Sequence, residues 1–363
     1  MAPKKRPPKS PATIRREILA LDKSILEAVR KRAQLTDELA SRSSSGSDAE
    51  AGIVKAANAV KGLPADEGLR LLRPIEGYCQ SRTQSQPVCF LGPDYSYSHL
   101  AAVRQFAGFF APKPVQSIAA VFEEVSGGRS KFGVVPIENS TDGRIADTLT
   151  MFAQHQVVIY REVHLPIHHC LVGLGRLADI REIRSKSQAL SQCRSWIDRT
   201  FSEKVQRIPA TSSSDAAQDA KKLGKKVAAI ASREAAEGLG LKVIEPDIED
   251  QQGNITRFAI IVRRENPEIE LPRKSGNDKS SIMFAIPHRP GSLADVINIF
   301  KRSRLNLTWI ESFPKPGAFS EYTFFAEFQG HRDEAKVRNA MANLEKKTEE
   351  MTFLGSYPEF SMT

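Results

Sequence analysis

Apolar positions change their spacing twice along the chain, and those changes divide it into three blocks. In the first block Ile14, Ile18, Leu21, Ile25, Val29, Leu35 and Leu39 recur at the three-to-four-residue interval of a helix face, with Thr13 placed to cap its start. The polar segment SRSSSGSDAEAG (41–52) interrupts the pattern, and shorter helical stretches follow at 53–61 and 66–82. No run here alternates like a strand, so 12–86 is expected to be all-α.

From 87 to 264 short apolar runs alternate with helical stretches. VCFLG (88–92), FGVVPIEN (132–139), VVIYREV (157–163), HHCLVGL (168–174), VAAIAS (227–232) and RFAIIVR (257–263) read as strands; 100–110, 187–201 and 233–240 read as helices. Such alternation predicts a parallel sheet with helices on its faces. The stretch NPEIELPRKSGNDKS (266–280) reads as a charged linker, and 281–363 follows the order β-α-β-β-α-β, which is ferredoxin-like. The expected organisation is therefore a tail over 1–11, a helical domain over 12–86, an α/β domain over 87–264, a linker over 265–280 and an α+β domain over 281–363.

Composition agrees with a multidomain globular protein: 363 residues, 40% hydrophobic and 26% charged. No apolar run approaches the roughly 20 residues that span a bilayer, so no membrane partner is expected. The basic, proline-rich start MAPKKRPPKSP is followed by no apolar stretch, so it reads as a disordered tail and a cytoplasmic location is expected. The four cysteines (Cys79, Cys89, Cys170, Cys193) stand apart, which predicts free thiols rather than disulfides or zinc ligands. His168 and His169 are neighbours in a predicted strand and would point to opposite faces, so no metal is expected. The net charge of +9 is concentrated at the start, with 16 Lys/Arg against 10 Asp/Glu in residues 1–86 and 36 against 33 beyond. No basic stripe with interleaved aromatics follows, so nucleic acid is not an expected partner of the chain as a whole.

Neither G-x-G-x-x-G nor G-x-x-x-x-G-K-[ST] occurs, which argues against dinucleotide and nucleoside-triphosphate binding. Polar clusters sit instead at element ends: Glu138, Asn139 and Ser140 after one strand, Thr211, Ser212 and Ser213 before a helix, and Thr256-Arg257 at the mouth of a buried run. Any one of these reads as a cap or a turn; their recurrence points to a shared cleft. Hydroxyls, amides, one carboxylate and an arginine suit binding a carboxylate-bearing small molecule and assisting a leaving group. They suit neither redox chemistry nor phosphoryl transfer, and no cofactor is expected.

Six stretches, FLGPDYSYSHLAA, GVVPIENSTDGRIADTL, SQALSQCRSW, TSSSDAA, AAIASREAAEGLGL and NITRFAII, occur in the order found in prephenate dehydratases, which the chain resembles over about 87–357. RPGSLADVINIFKRSRLNLTWIES resembles the ACT regulatory domain of that family. The resemblance implies loss of water and carbon dioxide from prephenate to give phenylpyruvate, on the path to phenylalanine. It also implies two α/β lobes, arranged as in periplasmic binding proteins, with the site between them. Thr256 would be the principal catalytic group, with Glu138, Asn139, Ser140, Ser185 and Gln192 at substrate-binding positions and Thr211, Ser212 and Ser213 as cleft donors. Arg257 would either pair with a substrate carboxylate or form a scaffold ion pair. Two departures from the family pattern stand out: Tyr95 where glycine is usual, and Ser185-Lys186-Ser187-Gln188 where Ser-His-Pro-Gln is usual.

For the C-terminal block the resemblance implies phenylalanine as effector, bound at a subunit interface of a dimer or tetramer through Gly291, Ser292, Leu293, Ala294, Glu311 and Ser312. Phe313 stands where that motif usually has arginine. The first block resembles the first helix of all-helical chorismate mutases, with Arg15, Arg32 and Glu50 at substrate-holding positions, whereas Ser43, Tyr78 and Arg82 depart from it. Two alternatives stay open: a bifunctional mutase–dehydratase and, in another class, a non-catalytic two-lobed amino-acid sensor. The Thr256 hydroxyl favours the enzyme, because a sensor has no need of it.

Overall fold

The computed structural model describes residues 9–42, 49–83, 87–106, 110–201, 205–314 and 322–359. Residues 1–8 of the expected tail lie outside that set. The chain divides into two compact units, Met1–Ser85 and Gln86–Thr363.

The first unit holds helices α1 (Pro11–Arg42), α2 (Ala49–Ala59) and α3 (Ala65–Thr83). Ser10, not Thr13, caps α1: its hydroxyl accepts from the Thr13 amide at 3.3 Å, and Pro11 takes the first helical position, where a missing N–H costs nothing. Ala33, Ile53, Ala57 and Cys79 are buried in this unit. The apolar stripe of α1 is not: Ile18 is 52% exposed, Leu21 63% and Leu39 61%. The helical periodicity is real, but most of its large side chains face away from α2 and α3.

Among the described residues the second unit contains three sheets. Its first lobe is built from β1 (Pro87–Leu91), α4 (Tyr97–Phe106), β2 (Ala111–Val115), α5 (Ile118–Ser126), β3 (Phe132–Asn139), β4 (Gly143–Arg144), α6 (Ala146–Gln154) and β5 (Val157–Pro166). The chain then forms the second lobe: β6 (Cys170–Gly173), β7 (Glu182–Ser185), α7 (Ser187–Gln192), α8 (Arg194–Thr200), β8 (Gln206–Pro209), α9 (Ser213–Leu223), β9 (Val227–Ala231), α10 (Arg233–Leu239) and β10 (Lys242–Glu245). It returns as β11 (Ile255–Arg263) to the first sheet, whose order is β2-β1-β3-β11-β5 with β4 against β3. The second sheet runs β10-β6-β9-β7-β8.

The expectation of parallel sheets holds only in part. β1 pairs in parallel with β2 and β3, and β7 with β8 and β9, but β11 runs antiparallel to both β3 and β5, and β6 antiparallel to β9 and β10. The strands that carry the chain between lobes are the antiparallel ones. The single helix expected over 187–201 is two, broken at Cys193, because the Asp250 carboxylate accepts from the Ser195 and Trp196 amides at 2.8 and 3.0 Å and starts a new helix there.

The C-terminal part has β12 (Asp278–Ala285), α11 (Ser292–Arg302), β13 (Leu307–Pro314), β14 (Tyr322–Gln329), α12 (Ala335–Glu345) and β15 (Glu350–Pro358) in sheet order β13-β14-β12-β15, the ferredoxin-like arrangement. One apolar core joins this sheet to the first lobe: Met283, Phe313, Phe325, Leu354 and Tyr357 pack with Val135, Ile137, Phe152, Ile159 and Ile261. The backbones also meet. Gly355 has φ of +147°, and a Cβ built there would fall 2.3 Å from the Ile159 carbonyl oxygen. The segment read as a linker is anchored too, since Ile269 and Leu271 pack on the first lobe's other core and β12 begins inside it at Asp278. No described helix is long and apolar enough to cross a membrane.

Candidate active site

Strand alternation sorts the residues of β11 onto two faces. Phe258, Ile260 and Val262 enter the core beneath α4, whereas Ala259 and Ile261 enter the core shared with the C-terminal sheet. Thr256 belongs with the first set and Arg257 with the second. Opposite them, Thr256 pairs with Asn139 and Arg257 with Glu138.

At the strand ends Asn139 organises the cleft. It is 5% exposed, and Thr256 9%. The Asn139 side-chain oxygen accepts from the Thr141 and Asp142 amides at 3.0 and 3.1 Å, the Asx turn that its position after β3 favours. That contact fixes the amide's orientation and aims its Nδ2 protons at two acceptors: Asn254 Oδ1 at 2.7 Å and Thr256 Oγ1 at 2.9 Å. Ser140 ties the same corner together, its amide donating to the Ile255 carbonyl and its hydroxyl accepting from the Ile255 amide, both at 2.9 Å. Because Thr256 Oγ1 accepts from Asn139, its own proton is left to donate elsewhere.

The second lobe supplies Ser185 from the end of β7 and Ser212 and Ser213 from the start of α9. Ser185 is fully buried; its hydroxyl donates to the Ile230 carbonyl at 2.7 Å and lies 3.2 Å from Ser213 Oγ. Ser212 caps α9, accepting from the Asp215 amide at 3.0 Å, and Thr211 is exposed beside it. Gln188 and Gln192 of α7 reach back across the cleft. Both side-chain amides donate to Asp142 of the first lobe, Gln192 at 3.2 Å.

Gln192 is held from behind by His169, whose Nε2 lies 2.8 Å from Gln192 Oε1. Since that oxygen only accepts, Nε2 carries the imidazole proton. Burial lowers the His169 pKa, with the bond to Gln192 opposing it, and burial raises the Tyr97 hydroxyl well above its ordinary value. The Tyr97 hydroxyl donates to the His168 carbonyl at 2.8 Å and approaches His169 Nδ1 at 3.3 Å. His168 does point away from His169, towards Glu249 (2.9 Å) and Asp247 (3.8 Å).

Two expected substrate ligands are absent from the cleft face. Arg257 Nη1 donates to Glu138 at 2.7 Å, and Nη2 donates to both Glu162 and Glu327 at 2.7 Å. Strand alternation turns both Glu138 and Arg257 towards the C-terminal sheet, where they form an ion pair, the second of the two arrangements expected for Arg257. Asn254, Asp142, Gln188, Tyr97 and His169 were not anticipated as members of the site. Asn254 alone had a legible signal, standing two residues before Thr256 and so on the same face of an extended chain.

Tyr95 explains itself. Its φ is +63°, in the left-handed region that favours glycine. The ring crosses to the second lobe and lies where a side chain at Gly238 would stand: a Cβ there would fall 2.2 Å from Tyr95 Cε1. Of the expected effector residues, Gly291, Ser292, Leu293 and Ala294 line a cavity of about 270 Å³ with His288, Tyr322 and Phe324. Glu311 and Ser312 lie outside it on edge strand β13, where Glu311 and the Ser312 carbonyl accept from Arg144. In the helical unit Arg15 is exposed, and half-buried Arg32 is paired with Glu76. Seventeen residues of helix separate the two arginines by about 25 Å, so one chain does not bring them to one site. Glu50 falls in α2, and its side chain lies outside the described residues.

A family model described as prephenate dehydratase matches residues 88–266. A bifunctional chorismate mutase/prephenate dehydratase of Stutzerimonas stutzeri is 35% identical over 361 residues, covering 95% of this chain and 97% of the relative. A prephenate dehydratase from Arthrobacter aurescens, solved in complex with L-Phe, superposes with a TM-score of 0.69 at 31% identity, over 75% of this chain and 90% of that one. A quorum-quenching acylase, GqqA, has a TM-score of 0.68 at 28% identity, over 75% of this chain and 98% of its own.

Proposed function

The chain belongs to the prephenate dehydratase family, and on that footing we propose that it converts prephenate to phenylpyruvate in the cleft between its lobes, with Thr256 acting on the leaving hydroxyl. The observation that carries the assignment is the 2.9 Å bond from Asn139 Nδ2 to Thr256 Oγ1. It pins the oxygen as an acceptor and frees the hydroxyl proton to meet an oxygen above the cleft floor. In the reaction the ring carboxylate leaves as carbon dioxide, the electron pair of the broken C–C bond enters the ring, and the C–O bond opposite breaks. The departing hydroxide must collect a proton to leave as water. A hydroxyl held in place stabilises charge as it develops on that oxygen, an effect worth about 10²–10³ in rate for one such donor. Threonine is a weak acid, so its part is a directed hydrogen bond, with solvent or a substrate carboxyl as the net proton source.

The second lobe binds the rest of the substrate. Ser213 and Thr211 at the start of α9, together with the amides of Gln188 and Gln192, suit a carboxylate and a carbonyl. Asp142 occupies those amides in the structure and must yield them to substrate.

Phenylalanine is the effector that the ferredoxin-like part, read as an ACT domain, takes in the cavity of Gly291–Ala294. The L-Phe complex of the Arthrobacter relative supports that reading, as does the apolar lining from Leu293 and Phe324. A homo-oligomer is supported by the exposed stripe of α1 and by the separation of Arg15 from Arg32, which leaves a second copy to complete any mutase site. Four buried free thiols fit a reducing, cytoplasmic setting. One assay orders these readings: purified protein is given prephenate, then chorismate, and phenylpyruvate is followed by ultraviolet absorbance. Product from prephenate is expected. Product from chorismate as well would make the helical unit an active mutase. No product from either would sink the dehydratase reading and leave the sensor. Calorimetry with no phenylalanine heat would remove the effector.

A further inference from the structure

Beneath the catalytic strand five charged side chains from five strands converge. Arg257 of β11 bonds Glu138 of β3, Glu162 of β5 and Glu327 of β14, and Lys279 of β12 joins Glu162 at 2.5 Å and Glu327 at 3.1 Å. The Glu162 and Glu327 side chains are 0% and 1% exposed. Tyr357 donates to Glu162 and Glu327 at 3.2 and 3.3 Å, and the Trp309 ring lies 5.2 Å from the Arg257 guanidinium carbon. Burial alone would raise the Glu162 carboxyl; the His164 bond and the Lys279 and Arg257 charges bring it well below its ordinary value.

Three strands of this set belong to the catalytic lobe and two to the C-terminal sheet. Buried ion pairs are a poor source of stability, because desolvation cancels most of the attraction. What they do well is fix register. The pairing of β11 with β3 slips between Arg257 and Phe258, where Phe258 faces Pro136 after Arg257 has faced Glu138. The bulge leaves Ile137 of β3 without an opposite residue and sets which face each neighbour takes, and a one-residue shift of β11 here would exchange the two faces. At this point it would take Thr256 away from Asn139. Arg257 is the next residue, and its planar fork is held from three sides.

We infer that Glu327, a residue of the C-terminal sheet that does not reach the cleft, is a positioning residue for the dehydration: through Arg257 it holds β11 in the register that sets Thr256 against Asn139. The inference rests on Thr256 being the catalytic hydroxyl, and its test separates the two. Steady-state kinetics of the full chain are measured for Glu327→Gln, Thr256→Val and the double variant, with thermal unfolding of each. Glu327→Gln is expected to lower kcat about tenfold with KM within about twofold, since sub-ångström misplacement acts on turnover. In the Thr256→Val background the same change is expected to cost less than about twofold, because the group it positions is already gone. Loss by the same factor in both backgrounds, or wild-type kcat in Glu327→Gln, overturns the inference. Wild-type turnover in Thr256→Val instead overturns the catalytic assignment and this inference with it. Should Glu327→Gln not fold, Tyr357→Phe keeps every charge and removes one donor; a twofold to threefold loss of kcat that vanishes beside Thr256→Val is expected, and equal loss in both backgrounds counts against.

Discussion

Asn139 and Thr256 in the first lobe sit on adjacent central strands, with both amide protons and the carbonyl of Asn139 engaged by named partners. Across the cleft, Ser213, Gln188 and Gln192 project from helices: Gln188 and Gln192 donate to Asp142 of the first lobe, whereas Ser213 meets Ser185 of its own lobe. The cores differ in the same sense. Phe122, Phe152, Phe325 and Tyr357 fill the core on which Arg257 rests, whereas Ala216, Ala217, Ala220, Ala229, Ala231, Ala235 and Ala236 fill the core under α9. In the proposed reaction the first side would hold the reacting hydroxyl still, and the other would hand over its bonds to Asp142 when substrate arrives.

The strongest way to break this contrast is at Arg257. Replacing it by Met leaves the buried Glu162 and Glu327 carboxylates to share Lys279 and takes the cation from Glu138, and a loss of about 3–5 kcal/mol in unfolding free energy is expected, read by urea denaturation. A loss below about 1 kcal/mol would mean that the cluster is not the brace of the rigid half. Next in size is Thr256→Val, for which turnover is expected to fall about 10²–10³-fold while the circular dichroism spectrum is retained; near-normal rates would remove Thr256 from the chemistry.

At the lobe boundary, Gly238→Ala pushes a methyl into the Tyr95 ring and is expected to cost about 1–3 kcal/mol by overpacking. Adding Tyr95→Gly should restore most of it, as the ring goes and the left-handed φ is relieved; no rescue would show that the two residues are not coupled. The mildest effect is on pH. His99 and His169 are both held below the ordinary histidine value of 6.5, in each case chiefly by burial. Their contribution is complete above about 6.5 and is lost as pH falls through their folded values, because the unfolded chain then binds more protons. A urea midpoint that declines from pH 7 to pH 5.5, and declines less in His169→Gln, is expected; a flat profile would contradict the buried, neutral assignment. Glu162 adds a separate acid limb, its contribution present above about 4.5 and lost as pH falls further.

Much of this was legible beforehand. Periodicity gave the three blocks, and the runs 132–139 and 257–263 became β3 and most of β11, because long buried strands leave a strong apolar signature. Strands β2, β7, β8 and β10 were not read, being short edge or polar segments such as APKPV, whose prolines argue locally against a ladder. Thr256, Asn139 and Ser140 could be placed at strand ends, but the partition of Glu138 and Arg257 to the far face needed the pairing register. Tyr97, His169 and Asp142 could not be foreseen, since distant elements and tertiary turns bring them together.

The contact at Gly355 bears on how such a chain can be rebuilt. A side chain there would fall 2.3 Å from the Ile159 carbonyl oxygen, so the C-terminal sheet meets the catalytic sheet backbone to backbone. A ferredoxin-like module borrowed from another protein would need a glycine at that position of its last strand to seat at all. Grafts that exchange this module should therefore keep β15 and β5 as a matched pair.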